Sequence, residues 1–162
     1  MRTRSFHIST PDEKARCISY IVKQPEPFGV DVREAEDPRT LAQNSLSFRW
    51  YGEIANAIGQ TPQESRAYCK LHFGIGIVKS GDSKLSRKFT EQYDTIIRPL
   101  PYEKKLELML PPIELPVTSL MTKKQKTEYL NQIQRRYAEQ GIYLSSLGDE
   151  YDLAMGIRKE KP

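Results

Sequence analysis

Apolar residues follow a two-residue period at the start of this chain and a helical period almost everywhere after it. Over residues 3–9, Phe6 and Ile8 alternate with Ser5, His7 and Ser9, which predicts a strand with one apolar side. Thr10-Pro11-Asp12-Glu13 is a helix start. It offers a hydroxyl to cap, a proline at the first helical position, and acids where the helix dipole favours them. The helix is expected to run to about Lys23 with Ala15, Ile18, Ile21 and Val22 inward, and Pro25 and Pro27 end it. Residues 28–35, FGVDVREA, alternate again like a strand. The connection is long enough for the two strands to pair in parallel, so the expected start is a small sheet with a helix across one face.

The period then becomes helical. From Arg39 to Gln60, Leu41, Phe48, Tyr51, Ile54, Ala55 and Ile58 mostly recur three, four or seven apart, and Trp50 and Ala57 widen the stripe. Asp37-Pro38 marks its beginning and Gly59 its end. Thr61-Pro62 opens the next helix, expected to reach Phe73 with Ala67, Tyr68 and Leu71 inward. Residues 74–78, GIGIV, read as a tight turn or short strand on the core; a G-x-G without its third glycine is not a nucleotide fingerprint. Further helices are expected over 84–97, over 102–110 inside the proline-rich stretch 98–116, and over 122–140, where Leu130, Ile133 and Tyr137 form the buried side. Residues 148–162 are polar and read as a flexible tail behind a single domain over 1–147. The fold class this predicts is α+β: a small N-terminal sheet with a helix across it, followed by a mainly helical body.

Composition narrows the class. No run of eighteen apolar residues exists to cross a membrane, and the basic N-terminus has no apolar segment behind it to act as a secretory signal. Cys17 and Cys69 lie far apart without metal-like spacing and read as small buried apolar residues in a reducing cytoplasm. The formal charge of +4 is unevenly spread. Residues 11–37 hold seven acids against four bases. Residues 79–88 hold Lys79, Lys84, Arg87 and Lys88 against Asp82, and residues 121–140 hold five bases against two acids. Two basic islands suit a polyanionic partner.

Catalytic chemistry is poorly supplied. The two histidines, His7 and His72, are far apart with no acid patterned beside either, and no zinc-protease, phosphate-loop or hydrolase-serine motif is present. No catalytic residue, metal ligand or cofactor is therefore expected. Binding is better supplied: single-stranded nucleic acid is held by aromatic faces and basic side chains. Phe48, Trp50 and Tyr51 lie close to Arg39 and Arg49, with Trp50 and Arg49 leaving the tightest part of the apolar stripe. Lys84, Arg87, Lys88, Lys123, Lys124 and Arg135 are the expected phosphate contacts.

Arg39-Thr40-Leu41-Ala42-Gln43-Asn44, at the head of a long aromatic helix behind a strand–helix–strand start, resembles the R-[ST]-L-x-Q-N signature of the NinB (Orf) family of phage recombination proteins. The order of elements extends the likeness to about residue 75; the middle of the chain has no counterpart in it. The resemblance implies a non-catalytic, cytoplasmic homodimer that binds single-stranded DNA. It further implies help in loading a strand-exchange or annealing protein onto DNA coated by the host single-strand-binding protein. Gln43, Asn44 and the aromatics Phe48 and Trp50 would belong to its signature helix. Two other classes stay open: an adaptor or inhibitor of a host protein docking through 98–116, and a metal-dependent DNA-processing enzyme whose carboxylates assemble only in the fold.

Overall fold

Thr10 caps the first helix as the sequence predicts. Its hydroxyl accepts from the Glu13 amide at 3.2 Å, while the Glu13 carboxylate accepts from the amides of Ser9 and Thr10. Those hydrogen bonds hold the Glu13 carboxyl below its usual range. This is the N-terminal unit of a computed structural model that describes residues 4–158 and divides into two compact units, Met1–Asp37 and Pro38–Pro162.

In the first unit, α1 spans Pro11–Val22 and the described residues around it form no regular element. The expected sheet is absent: 63% of the structure is helix, and no strand occurs among the described residues. The α+β class is therefore corrected to all-α; residue 3 of the first expected strand lies outside the described residues. The physical reason is that alternation makes a strand only where an edge and a buried face await it. Phe28, Val30 and Val32 alternate but are all exposed, and Pro25 and Pro27 remove two ladder donors just before them. Ala15, Ile18 and Val22 of α1, expected inward, are exposed as well, and Ile21 is half-buried. Order around α1 comes instead from Phe6 against Tyr20, with the Arg4 guanidinium over both rings.

The second unit is built on α2, Pro38–Ile58. Its buried arc is Ala42, Gln43, Leu46, Ser47, Trp50, Tyr51, Ile54 and Ala55, a pattern of pairs repeating every four or so residues. That arc is turned relative to the expected stripe, leaving Leu41, Phe48 and Ile58 exposed. Thr61 caps α3, Pro62–Cys69, with the same reciprocal Thr–Glu box as α1. The helix does not stop at Phe73. It widens into a π-turn over Lys70–Gly74 and continues as α4, Ile75–Lys79, where a turn or strand was expected. Gly74 permits this because a β-carbon there would meet Val117 Cγ1 at 2.7 Å.

α5, Lys84–Gln92, is capped by Ser83 and ends in a second π-turn, Tyr93–Ile97. α6, Tyr102–Leu108, follows, then a 3-10 turn at Thr118–Leu120 and α7, Lys123–Ala138, capped by Thr122. Residues 148–162, expected to be a flexible polar tail, carry α8 over Asp149–Met155, which packs on α2 and buries Ala154; residues 159–162 lie outside the described residues. Two apolar clusters result. One joins α2, α7 and α8 through Trp50, Tyr51, Tyr129, Leu130, Ile133 and Tyr137. The other gathers Ala67, Ile75, Val78, Phe89, Tyr93, Met109 and Val117.

Candidate nucleic-acid interface and two buried lysines

The residues picked from the sequence divide into three groups. The first serves the fold. Gln43 Nε2 lies within 3.0–3.1 Å of the Lys123 carbonyl, Thr127 Oγ1 and the Ala154 carbonyl, so one buried amide ties α2 to α7 and α8. Arg39 donates from Nη2 to Thr127 Oγ1 at 2.9 Å and reaches the Ala154 carbonyl through Nε. Trp50 is fully buried; its Nε1 donates to the Ser145 carbonyl at 2.8 Å, and Tyr151 of α8 lies against its ring. The expected stacking role of Trp50 is corrected accordingly, because its faces are covered by protein. Arg49 pairs with Glu150 across the α2–α8 contact.

The second group lies on the surface as expected. Lys84, Arg87 and Lys88 are exposed on α5, and Lys123, Lys124 and Arg135 are exposed on α7. Arg87 bonds the Asp82 carbonyl at 2.7 Å. The fold joins these two stretches. Gln125 Nε2 donates to the Ile77 carbonyl at 3.1 Å, and the starts of α5 and α7 pinch Gly81 between Ser86 and Gln125. A β-carbon on Gly81 would lie 2.3 Å from Ser86 Oγ and 3.0 Å from Gln125 Nε2, so a side chain there would push these two groups aside. Lys84 and the Lys123–Lys124 pair occupy the first positions of their helices, where the dipole adds positive potential. Lys124 and Arg135 are eleven residues apart, which places them on one face of α7 about 16 Å from each other. Arg135 borders a groove of about 400 Å³ with Asn131, Gln134, Ser146 and Tyr143. Tyr143 is 84% exposed. Sequence reasoning missed it, although an aromatic two residues past the helix-stopping Gly141 has little to pack on.

Of the remaining signature residues, Asn44 is exposed and Phe48 is 58% exposed, with the Arg66 guanidinium 5.2 Å above its ring.

The third group was not foreseen and lies inside. Lys70, in the π-turn, is 1% exposed, and its ammonium makes one long hydrogen bond, 3.5 Å, to the Met109 carbonyl. Burial, and then repulsion from Arg66, lowers its pKa to about 8, with Glu114 opposing. Lys126 is 6% exposed; burial and Arg66 likewise lower it to about 8. The sequence held a signal for Lys126: it stands three, four, seven and eleven residues before Tyr129, Leu130, Ile133 and Tyr137, on the buried face of α7. Beside it, the Tyr51 and Tyr129 hydroxyls share a buried hydrogen bond of 2.8 Å, and burial raises both phenols.

Nucleophilic chemistry has little to work with here. Burial pushes the Cys69 thiol up to about 12, which leaves it protonated at neutral pH. His72 stacks on Tyr68 and bonds the Tyr102 hydroxyl at 2.9 Å, and burial lowers its pKa. Among the described residues, no group of three or more His, Cys, Asp or Glu side chains is placed to hold a metal ion, and no helix is long and apolar enough to cross a membrane. Compared with protein-family models, curated proteins and solved structures, the chain gives no match.

Proposed function

We propose that this chain binds single-stranded nucleic acid, gripping the phosphate backbone along the face shared by α5 and α7. The observation that carries this is the meeting of two basic stretches, distant in sequence, at the adjoining ends of those helices. Lys84, Lys88 and Lys124 are exposed and have no carboxylate within salt-bridge distance among the described residues. Cations held this way serve a polyanion rather than an internal ion pair. Arg135 extends the track along α7, and the exposed Tyr143 ring beside it offers a base a stacking face, which favours unpaired strands. The protein acts by binding and positioning, not by catalysis. Its Arg39–Asn44 segment favours a recombination accessory of phage type, a cytoplasmic homodimer that assists loading of a recombinase or annealing protein.

Fluorescence anisotropy with a labelled single-stranded oligonucleotide and its duplex, at several salt concentrations, tests the reading. Each phosphate contact contributes a slope of roughly −0.7 in log affinity against log salt for a single strand. The Lys84→Ala/Lys88→Ala/Lys124→Ala variant should weaken binding and flatten the slope by about 2. Salt-independent affinity, or a variant that binds like the parent, would refute the proposed face.

A further inference from the structure

Past Gly141 the chain turns back beside α7. Gly141 sits at a φ of +78°, its amide bonds the Ala138 carbonyl at 2.9 Å, and the Ile142 amide bonds the Tyr137 carbonyl at 2.9 Å. Leu144 then enters the core at 5% exposure, and Ser145 is pinned to α2. The Ser145 carbonyl accepts from Trp50 Nε1 at 2.8 Å, its amide donates to Glu53 at 2.9 Å, and its hydroxyl donates to Glu53 at 2.5 Å. Tyr143 is thus exposed on an anchored stretch of backbone and not at the tip of a free loop. An aromatic side chain presented this way can stack on a planar ligand at little cost in chain entropy.

The groove of about 400 Å³ beside it is walled on the α7 side by Asn131, Gln134, Arg135 and Ala138, which share one helix face. The Asn131 amide makes no hydrogen bond among the described residues, so it keeps both donors and an acceptor to offer. Gln134 Oε1 accepts from the Tyr151 hydroxyl at 3.3 Å, which leaves its NH2 to donate. Asn131 stands two turns past Lys124, about 10 Å along the same face, so the groove continues the basic track of α7. We propose that this groove seats one unpaired purine base of the bound strand, stacked on Tyr143 and hydrogen-bonded by the Asn131 and Gln134 amides. A purine presents two hydrogen-bonding edges and the wider stacking face, and two amides one turn apart can serve both edges. A pyrimidine offers them one edge. Arg135 stays with the adjoining phosphate. Selection of a purine rests on the single-strand reading above and adds what part of the strand the groove recognises.

Fluorescence anisotropy with labelled thymidine-only strands, and with the same strands carrying a central purine, reads the groove as a ratio of affinities. The purine strand should bind at least about fivefold tighter. Tyr143→Ala should bring the ratio to about one, Tyr143→Phe should keep it, and Asn131→Ala/Gln134→Ala should lower it at least about threefold. A 7-deazapurine keeps the stacking face and loses one acceptor, so it should bind the unaltered protein at least about threefold more weakly than the purine. The Lys84→Ala/Lys88→Ala/Lys124→Ala variant should weaken both strands by the same factor and leave the ratio unchanged. A ratio of about one with salt-sensitive binding intact would overturn the purine site and leave the α5–α7 face standing, whereas binding to neither strand would overturn both. A Tyr143→Ala ratio equal to the parent's, or a 7-deazapurine strand that binds like its purine twin, would also overturn the proposal.

Discussion

Replacing Lys126 with methionine should stabilise this protein at neutral pH, even though it deletes a charge from a basic stretch. In the folded chain Lys126 is 6% exposed and its ammonium lies 5.4 Å from the Tyr129 ring centroid, with Arg66 near enough to repel it. Its pKa falls to about 8. Against an ordinary lysine near ~10.4, that gap corresponds to about 3 kcal/mol disfavouring the charged form in the folded state. Methionine fills the channel of the stem and sets a polarisable sulfur against the ring, so little packing is lost. The expected gain at pH 7 is about 1–3 kcal/mol, or about 2–9 °C in Tm.

The pH dependence identifies the cause. The folded lysine binds its proton more weakly than the unfolded one, so between about pH 8 and pH 10.4 the unfolded chain carries more protons and wild-type stability rises with pH. Below pH 8 the full penalty is present. The advantage of the variant should therefore be largest near pH 7 and close toward pH 10. Tyr51, Tyr129 and Tyr137 have raised pKa values, so they withdraw stability above about pH 10, equally in both proteins. Urea unfolding followed by circular dichroism at pH 7, 8.5 and 9.5 gives the three points needed. A variant less stable than the parent at pH 7 by more than about 1 kcal/mol, or a difference that does not change with pH, would refute the reasoning.

Two other substitutions probe the frame. Gln43→Ala removes the amide that serves the Lys123 and Ala154 carbonyls and the Thr127 hydroxyl, and should lower stability by about 2–3 kcal/mol, read as a lower urea midpoint at unchanged slope. Gly74→Ala forces a methyl to within 2.7 Å of Val117 Cγ1 and should cost about 1–3 kcal/mol by the same assay.

The helices of the body could be read from the chain because their signals are local. Thr10 and Thr61 cap the helices that their Thr-Pro openings announce, Ser83 and Thr122 cap those expected to begin near them, and the apolar period of 122–140 marks the buried side of α7. What could not be read depended on partners distant in sequence. The alternation of Phe28, Val30 and Val32 has no strand edge to meet, and a pleated pattern carries no record of whether one exists. Residues 149–155 look like a solvated acidic run, yet Ala154 and half-buried Tyr151 and Met155 give them one apolar side that α2 covers. That one misreading turned Trp50 outward in the expected fold, since without α8 nothing accounts for the far side of α2.

Placing α8 against α2 also changes what the Arg39–Asn44 segment means. Arg39 and Gln43 stand four residues apart on one face, and both reach Thr127 Oγ1 and the Ala154 carbonyl. An arginine and a glutamine at this spacing are what a three-helix junction needs when the carbonyl ending one helix and a hydroxyl on another must both be satisfied away from water. The pair is thus accounted for by packing before any ligand is considered. The side chains open to solvent lie elsewhere. Among them are Lys84, Lys88 and Lys124, with Tyr143 further along. Exposed cations attract a polyanion through contacts that salt weakens, whereas a desolvated lysine such as Lys126 responds to pH. A salt series therefore reads the proposed surface and a pH series reads the buried lysine, and the two on the same protein separate binding from stability.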